Sequence, residues 1–293
     1  MKKIIKNPIL LITLSMAVFG TIAPFVRKTG LASGEVALYR AILASILIAV
    51  FLLVTKQKIP FKDFKKATLP LLIFSGAAMA FNWIFLFEAY KYTTVSVATL
   101  SYYFAPVIVT VACPILFKEK IGLKGWICFL GSTLGIVLIT GIGELSGAKS
   151  HLIGILFGLC AAALYATVVL LNKFIREVDG IHRTFLQFVS AIIVLIPYVV
   201  LTSGINVSGM NSKGMICLVT VGVVHTGITY CMYFTSLKNL PGQKAAILSY
   251  IDPLVAVIIS ITVLKESITP MQVLGGVLIL GFTLWNEIKF VKK

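Results

Sequence analysis

The sequence predicts an all-α integral membrane protein of ten transmembrane helices, arranged as two inverted five-helix repeats. Three observations predict it. Of the 293 residues, 59% are hydrophobic and only 12% charged, and the mean hydropathy is +1.02, far from the balance of a soluble domain. Apolar stretches of about 20 residues, enough to cross a bilayer at about 1.5 Å per residue, follow one another ten times with short connections. One tract also occurs twice. Ser101-Tyr-Tyr-Phe-Ala-Pro106, running to Lys118-Glu119, returns as Ser249-Tyr-Ile-Asp-Pro253, running to Lys265-Glu266. Tyr103 and Tyr250, Pro106 and Pro253, Lys118 and Lys265, Glu119 and Glu266, and Ile121 and Ile268 are each 147 positions apart.

The spans are expected near 8–28, 34–55, 67–88, 93–116, 121–142, 152–174, 182–203, 213–235, 241–264 and 268–288. Span one follows Lys2, Lys3 and Lys6 and resembles a leader, but it has no convincing small-residue cleavage site and nine spans follow, so it is expected to be retained. Span two carries Arg40, and span three carries Asn82 and Trp83. Span four holds Tyr102, Tyr103 and Pro106. Gly131-x-x-x-Gly135 in span five, Gly154-x-x-x-Gly158 in span six and Gly275-Gly276 in span ten offer close-packing faces, and dimerisation through them is a second reading. Span seven has Gln187 at the position equivalent to Arg40; span eight carries His225, Thr229 and Tyr230; span nine carries Tyr250, Asp252 and Pro253. Thr269-Pro270 reads as a cap and first-turn proline opening span ten.

The repeats divide the chain into residues 1–145 and 146–293. Five spans per repeat is an odd number, so the second repeat enters the membrane from the opposite side. Two inverted halves around a central site are the plan by which secondary carriers expose that site to each side in turn.

Cations set the orientation. Nineteen Lys and Arg residues fall on the ends that share a face with both termini, six on the other ends, and Arg40 lies within a span. The positive-inside rule therefore places both termini in the cytoplasm. The net charge of +16 is topological: the cations are spread through short juxtamembrane loops facing anionic lipid, not gathered on one surface with nucleic-acid-reading motifs. Cys113, Cys128, Cys160, Cys217 and Cys231 all lie in apolar runs without a CxxC pair or a histidine at ligand spacing, so neither disulfides nor a metal is expected. HExxH, GxSxG and Walker motifs are absent, so neither an enzyme nor a self-contained ATP-driven pump is expected, and no cofactor is implied.

The ten-span plan, the doubled Tyr-x-x-Pro to Lys-Glu tract, Arg40 early in span two and Phe19-Gly20 in span one resemble the EamA type of the drug/metabolite transporter superfamily, over nearly the whole chain. The resemblance implies a basket-shaped bundle in a bacterial inner membrane that carries small metabolites, often exporting amino acids or related compounds. It leaves the substrate open.

Energetic cost selects the candidate residues. Asp252 lies roughly 18 Å deep at 1.5 Å per residue, where an ionised carboxylate costs about 2.5–3.5 kcal/mol and must face a cavity, pair or be protonated. It is a candidate for binding a substrate amine or a coupling proton, or for bonding a neighbouring Tyr or His; Ala105 is its counterpart in the first repeat. Pro253 beside it breaks the helix and frees a carbonyl. Tyr102, Tyr103 and Tyr250 flank the two breaks and can stack on an amphipathic solute or brace the kinks. Asn82 and Trp83 correspond to Thr229 and Tyr230, a symmetry that favours a cavity lining, with an interfacial belt position as the alternative for Trp83. His225 is a candidate proton carrier or partner of Asp252, with an interhelical hydrogen bond as the alternative. Arg40 can hold a substrate carboxylate or close an ion pair with Glu35 or Glu88. Lys118-Glu119 and Lys265-Glu266 are candidates for gates or for anchors of helix ends. The function read from these residues is that of a secondary carrier for a small molecule, with protons as a candidate coupling ion, lipid as surroundings, and a monomeric or weakly dimeric state; the alternative is an uncoupled, channel-like facilitator.

Overall fold

The computed structural model describes residues 7–59, 61–117, 122–139, 148–175, 177–237, 239–240 and 242–287. Lys2, Lys3, Lys6, Lys118, Glu119, Lys120, Ile121, Arg176, Lys238, Lys289, Lys292, Lys293 and the expected boundary between residues 145 and 146 lie outside them.

Every regular element among the described residues is helical. Seven helical stretches are long and apolar enough to cross a membrane, and three shorter apolar helices stand at spans five, nine and ten. Spans two, three, five, six, seven and ten are Ser33–Val54, Thr68–Tyr92, Leu123–Ile139, Ala148–Phe174, Gly180–Thr202 and Pro270–Glu287. Span three continues one turn beyond its expected limit, to Tyr92.

Three spans are broken, each by the same chemistry. Span one divides into Pro8–Gly20 and Ile22–Lys28, span four into Val95–Tyr102 and Ala105–Phe117, and span nine into Gly242–Ser249 and Ile251–Thr262. The first pieces end at Gly20, Tyr102 and Ser249, each four residues before a proline: Pro24, Pro106 and Pro253. A proline has no N–H to donate to the carbonyl four residues back, and its ring crowds that carbonyl. The helix therefore stops there. In span six the position equivalent to Pro24 is Leu171, and its 27-residue helix is continuous.

Span eight departs from the α-helix without a proline. Ser212–Val219 passes through a π-helical stretch, Thr220–Ile228, into Thr229–Leu237. The Thr226 hydroxyl donates to Val221 O and the Thr229 hydroxyl to Val224 O, both at 2.7 Å and both five residues back, so side chains bond carbonyls in the widened turn. At the ends, Asn7 accepts from the backbone N–H of Ile9 and Leu10 ahead of span one. Thr269 and Gln272 exchange side-chain and backbone bonds in a reciprocal capping box, confirming the expected start of span ten.

Span two shows how a helix sits between lipid and core. Ala37, Ala41, Ala44 and Ile48 are fully buried, whereas Ile46, Val50 and Leu53 are exposed and apolar, as a lipid-facing stripe must be. The main packing partners are related by the 147-residue shift: three on six matches eight on one, seven on three matches two on eight, and four on six matches nine on one. Spans five and ten pack on each other. A Cβ at Gly135 would lie 2.7 Å from Gly275 O, and one at Gly275 would lie 2.6 Å from Gly135 O, so only glycine allows this backbone-to-backbone approach. Gly154 and Gly158 press on Thr93 and Ser101 in the same way, so these glycine faces are occupied within the chain.

Candidate functional site

The three breaks meet. A Cβ on Gly20 would stand 2.5 Å from Asp252 O and 2.7 Å from Val255 Cβ, so the break in span one lies against the break in span nine. Span four packs on span nine from the other side. Between them is a cavity of about 280 Å³, close to the lower end of small-molecule sites.

Asp252 lines this cavity, and its Oδ2 accepts a 2.8 Å hydrogen bond from the Tyr103 hydroxyl. The same hydroxyl lies 3.4 Å from Ser249 O, the carbonyl that Pro253 leaves without its helical donor. Tyr103 thus serves both the carboxylate and the broken backbone. Its ring is 6.2 Å from that of Tyr250 and 5.9 Å from that of Tyr102, which in turn is 5.5 Å from the ring of Tyr165. Around the carboxylate the wall is therefore tyrosine.

Elsewhere on the same cavity stands a cation. The Arg40 guanidinium lies 4.4 Å above the Trp83 ring and 5.4 Å from that of Phe87, and its Nε donates to Thr226 Oγ1 at 3.1 Å. Neither expected carboxylate partner reaches it. Glu35 accepts from Asn206 N and Nδ2 at 2.7 and 3.2 Å, and Glu88 pairs with Lys91 at 2.8 Å. The quadrupoles of two aromatic faces take the place of an anion, an arrangement that holds a desolvated guanidinium without neutralising it.

Seven of the eight candidate substrate residues line the cavity: Arg40, Trp83, Tyr102, Tyr103, Tyr230, Tyr250 and Asp252. Asn82 stands behind the wall. Its Nδ2 donates to Ala161 O at 2.6 Å, which ties span three to span six. His225 is not among the lining residues and does not meet Asp252. Its Nε2 is 3.0 Å from Thr21 Oγ1, its Nδ1 is 3.3 Å from Thr220 O, and Phe25 packs on its ring at 4.8 Å. It joins the break in span one to the π-helical turn of span eight. Gln187, the counterpart of Arg40, is buried away from the cavity and donates to Ser75 Oγ and Asn172 Oδ1.

The structure adds lining residues that the sequence reading did not single out: Phe87, Tyr90, Tyr165 and Tyr233. Seven of the chain's ten tyrosines line this one cavity. Such walls stack on apolar bodies and present hydroxyls to polar ends. Among the described residues no group of three or more His, Cys, Asp or Glu is placed to hold a metal ion.

Comparison with known proteins agrees with this architecture. The EamA-like transporter family matches residues 6–141 and again residues 152–286. The chain is 33% identical over 252 residues to the uncharacterized transporter YxxF of Bacillus subtilis (strain 168), covering 84% of this chain and 78% of that protein. It is 27% identical over 280 residues to an uncharacterized transporter of Archaeoglobus fulgidus, covering 94% and 95% of the two. A solved structure described only as the crystal structure of a protein superposes with a TM-score of 0.63 at 15% identity, over 95% of this chain and 96% of that one, which shows a shared fold. With both halves matched and a cavity at the centre of the spans, the chain belongs to the EamA-like transporter family of the drug/metabolite transporter superfamily and is a multi-span membrane transporter.

Proposed function

We propose that this transporter is a secondary carrier that exports a small amphipathic metabolite, an amino acid or a related amine-bearing solute, across the bacterial inner membrane, with both termini in the cytoplasm. The observation that carries the reading is the cavity itself. Arg40, held by aromatic faces and a threonine hydroxyl, and Asp252 both line it, and ten of the other lining residues are aromatic. A guanidinium over Trp83 offers its outer N–H groups to a carboxylate, and Asp252 beside Tyr103 accepts from an ammonium. The rings of Tyr102, Tyr103, Tyr230 and Tyr250 take up the apolar body of the solute.

Alternating access is the proposed mechanism. The exchange of packing partners under the 147-residue shift supports two equivalent halves, and breaks in spans one, four and nine at the cavity level give each half a place to bend. Asp252 is the proposed coupling group. Its cost in mid-membrane falls when it binds either a proton or the solute's amine, so the two compete for one carboxylate. His225, held by Thr21 and Thr220, is assigned to transmitting movement between spans one and eight.

Proteoliposomes offered amino acids, amines, nucleosides and sugars, with and without an imposed pH gradient and read by mass spectrometry, test this directly. Movement of amino acids or amines that follows the gradient is expected. Movement of all classes regardless of the gradient would replace the carrier with an uncoupled facilitator.

A further inference from the structure

A second cavity, of about 550 Å³, lies on the side of the central one that carries the loop between spans one and two. Arg27, Gly30, Ser33 and Lys91 line it, and it shares Phe87 and Tyr90 with the central cavity. Phe87 and Tyr90 therefore stand between the two cavities, and their position is termed the neck. Beside the neck, Arg27 makes four contacts. Its Nη1 pairs with Glu266 Oε1 at 2.5 Å, its Nη2 and Nε donate to Tyr90 O at 2.5 and 2.9 Å, and Nη2 also donates to Thr93 O at 3.0 Å. Glu266 Oε2 in turn accepts from Val95 N at 2.8 Å and from the Ser260 hydroxyl.

Two side chains thus tie together the end of span one, the turn from span three to span four, and the end of span nine. Arg27 satisfies carbonyls that span three leaves open at its C-terminus, and Glu266 satisfies an amide at the start of span four. The tie joins the first half of the chain to the second. The other described ion pair between the halves, Lys65 with Glu177, lies on the opposite face, and the Lys65 side chain is 76% exposed. An exposed pair of that kind holds little. Of these two ion pairs between the halves, the one with less exposed side chains is at the Arg27 end.

We propose that Arg27 and Glu266 form a releasable latch that closes the neck between the central and outer cavities, and that passage toward this face requires the latch to part. A latch needs strong directional contacts that can be lost together, and a single guanidinium shared by several partners meets that need: displacing Arg27 breaks its bonds to Glu266, Tyr90 O and Thr93 O at once. Because Tyr90 lines both cavities and its carbonyl is held by Arg27, release of the guanidinium loosens a residue that stands between them. The inference goes beyond the substrate reading, and its test uses no substrate, so either can fail alone.

The experiment places a cysteine at Ser249, which lines the central cavity, in a chain whose five native cysteines are alanine. Reconstituted protein is treated with a membrane-impermeant maleimide from one face, then from the other. Glu266→Gln keeps an acceptor for Val95 N but loses the charge that holds Arg27. Labelling from the latch face is expected to rise roughly tenfold, as loss of one charge-assisted contact implies, with no rise from the opposite face. An unchanged rate, a rise on both faces, or a parent protein already labelled freely from the latch face overturns the proposal. If Glu266→Gln does not reconstitute, Arg27→Lys, which keeps the charge but cannot reach all three partners, is read by the same outcomes.

Discussion

The hydroxyl of Tyr103 and the carboxylate of Asp252 lie 149 positions apart in sequence and 2.8 Å apart in space, joining the break in span four to the break in span nine. Such a hydrogen bond contributes about 0.5–1.5 kcal/mol to a neutral carboxyl and about 1.5–3 kcal/mol to an ionised one. Removing the hydroxyl with Tyr103→Phe is expected to leave the fold intact, because the ring contacts with Tyr102 and Tyr250 remain. The substrate profile is expected to shift toward solutes whose own donors can satisfy Asp252. Transport across a solute panel, read beside detergent-solubilised melting curves, checks this, and an unchanged panel removes Tyr103 from the site.

Asp252→Asn separates coupling from binding. The amide keeps the shape and an acceptor oxygen for Tyr103 but has no ionised form that could take up and release a coupling proton. Accumulation driven by a pH gradient is expected to vanish, while exchange of labelled for unlabelled solute persists in part. Equal loss of both would refute the coupling role.

Arg40→Lys tests the anionic end. Lysine retains a cation over Trp83 but loses the planar fork that binds a carboxylate through two parallel bonds. The KM for solutes bearing a carboxylate is expected to rise about tenfold or more, equivalent to about 1.4 kcal/mol. Amines without a carboxylate are expected to be unaffected, and a parallel rise for both would assign Arg40 to structure alone.

Gly20→Ala inserts a methyl group 2.5 Å from Asp252 O, where spans one and nine touch. The backbones must part, at about 1–3 kcal/mol for an overpacked contact. Reduced transport with a lowered melting temperature is expected. Gly281→Ala, which meets nothing within 4 Å, is the control and is expected to be silent.

Pro253→Ala returns an N–H that can close the helix onto Ser249 O, competing with Tyr103 for that carbonyl. Stability is expected to hold or rise while turnover falls. Initial transport rates against thermal midpoints distinguish this from simple damage, in which both fall.

The ten spans were legible because a bilayer demands long apolar stretches, and no tertiary rearrangement relaxes that demand. The breaks in spans four and nine were legible for a similar reason: Pro106 and Pro253 act on their own backbone four residues away. The π-helical turn of span eight was not, because it has no breaker residue and is supported by ordinary threonines, Thr226 and Thr229, bonding carbonyls five residues back. Arg40 invited a search for acids, and Glu35 is five positions before it while Glu88 stands at the matching end of the neighbouring span. Its real partners are the Trp83 ring and a threonine hydroxyl, neither of which appears in a charge pattern. Tyr233 could have been found from Tyr230, since residues three apart share a helix face and both line the cavity. Tyr165 corresponds to Val18, and Arg27 meets Glu266 across 239 positions, so no repeat or spacing announces either.

At Gly20, Tyr102 and Ser249 the helical bond is already missing before any movement starts. Whatever that omission costs, it is present in every conformation the chain visits and cancels from the difference between them. Under the proposed alternating access, bending at these three points would break no further backbone hydrogen bond of this kind, and what would have to let go is a small set of replaceable side-chain contacts.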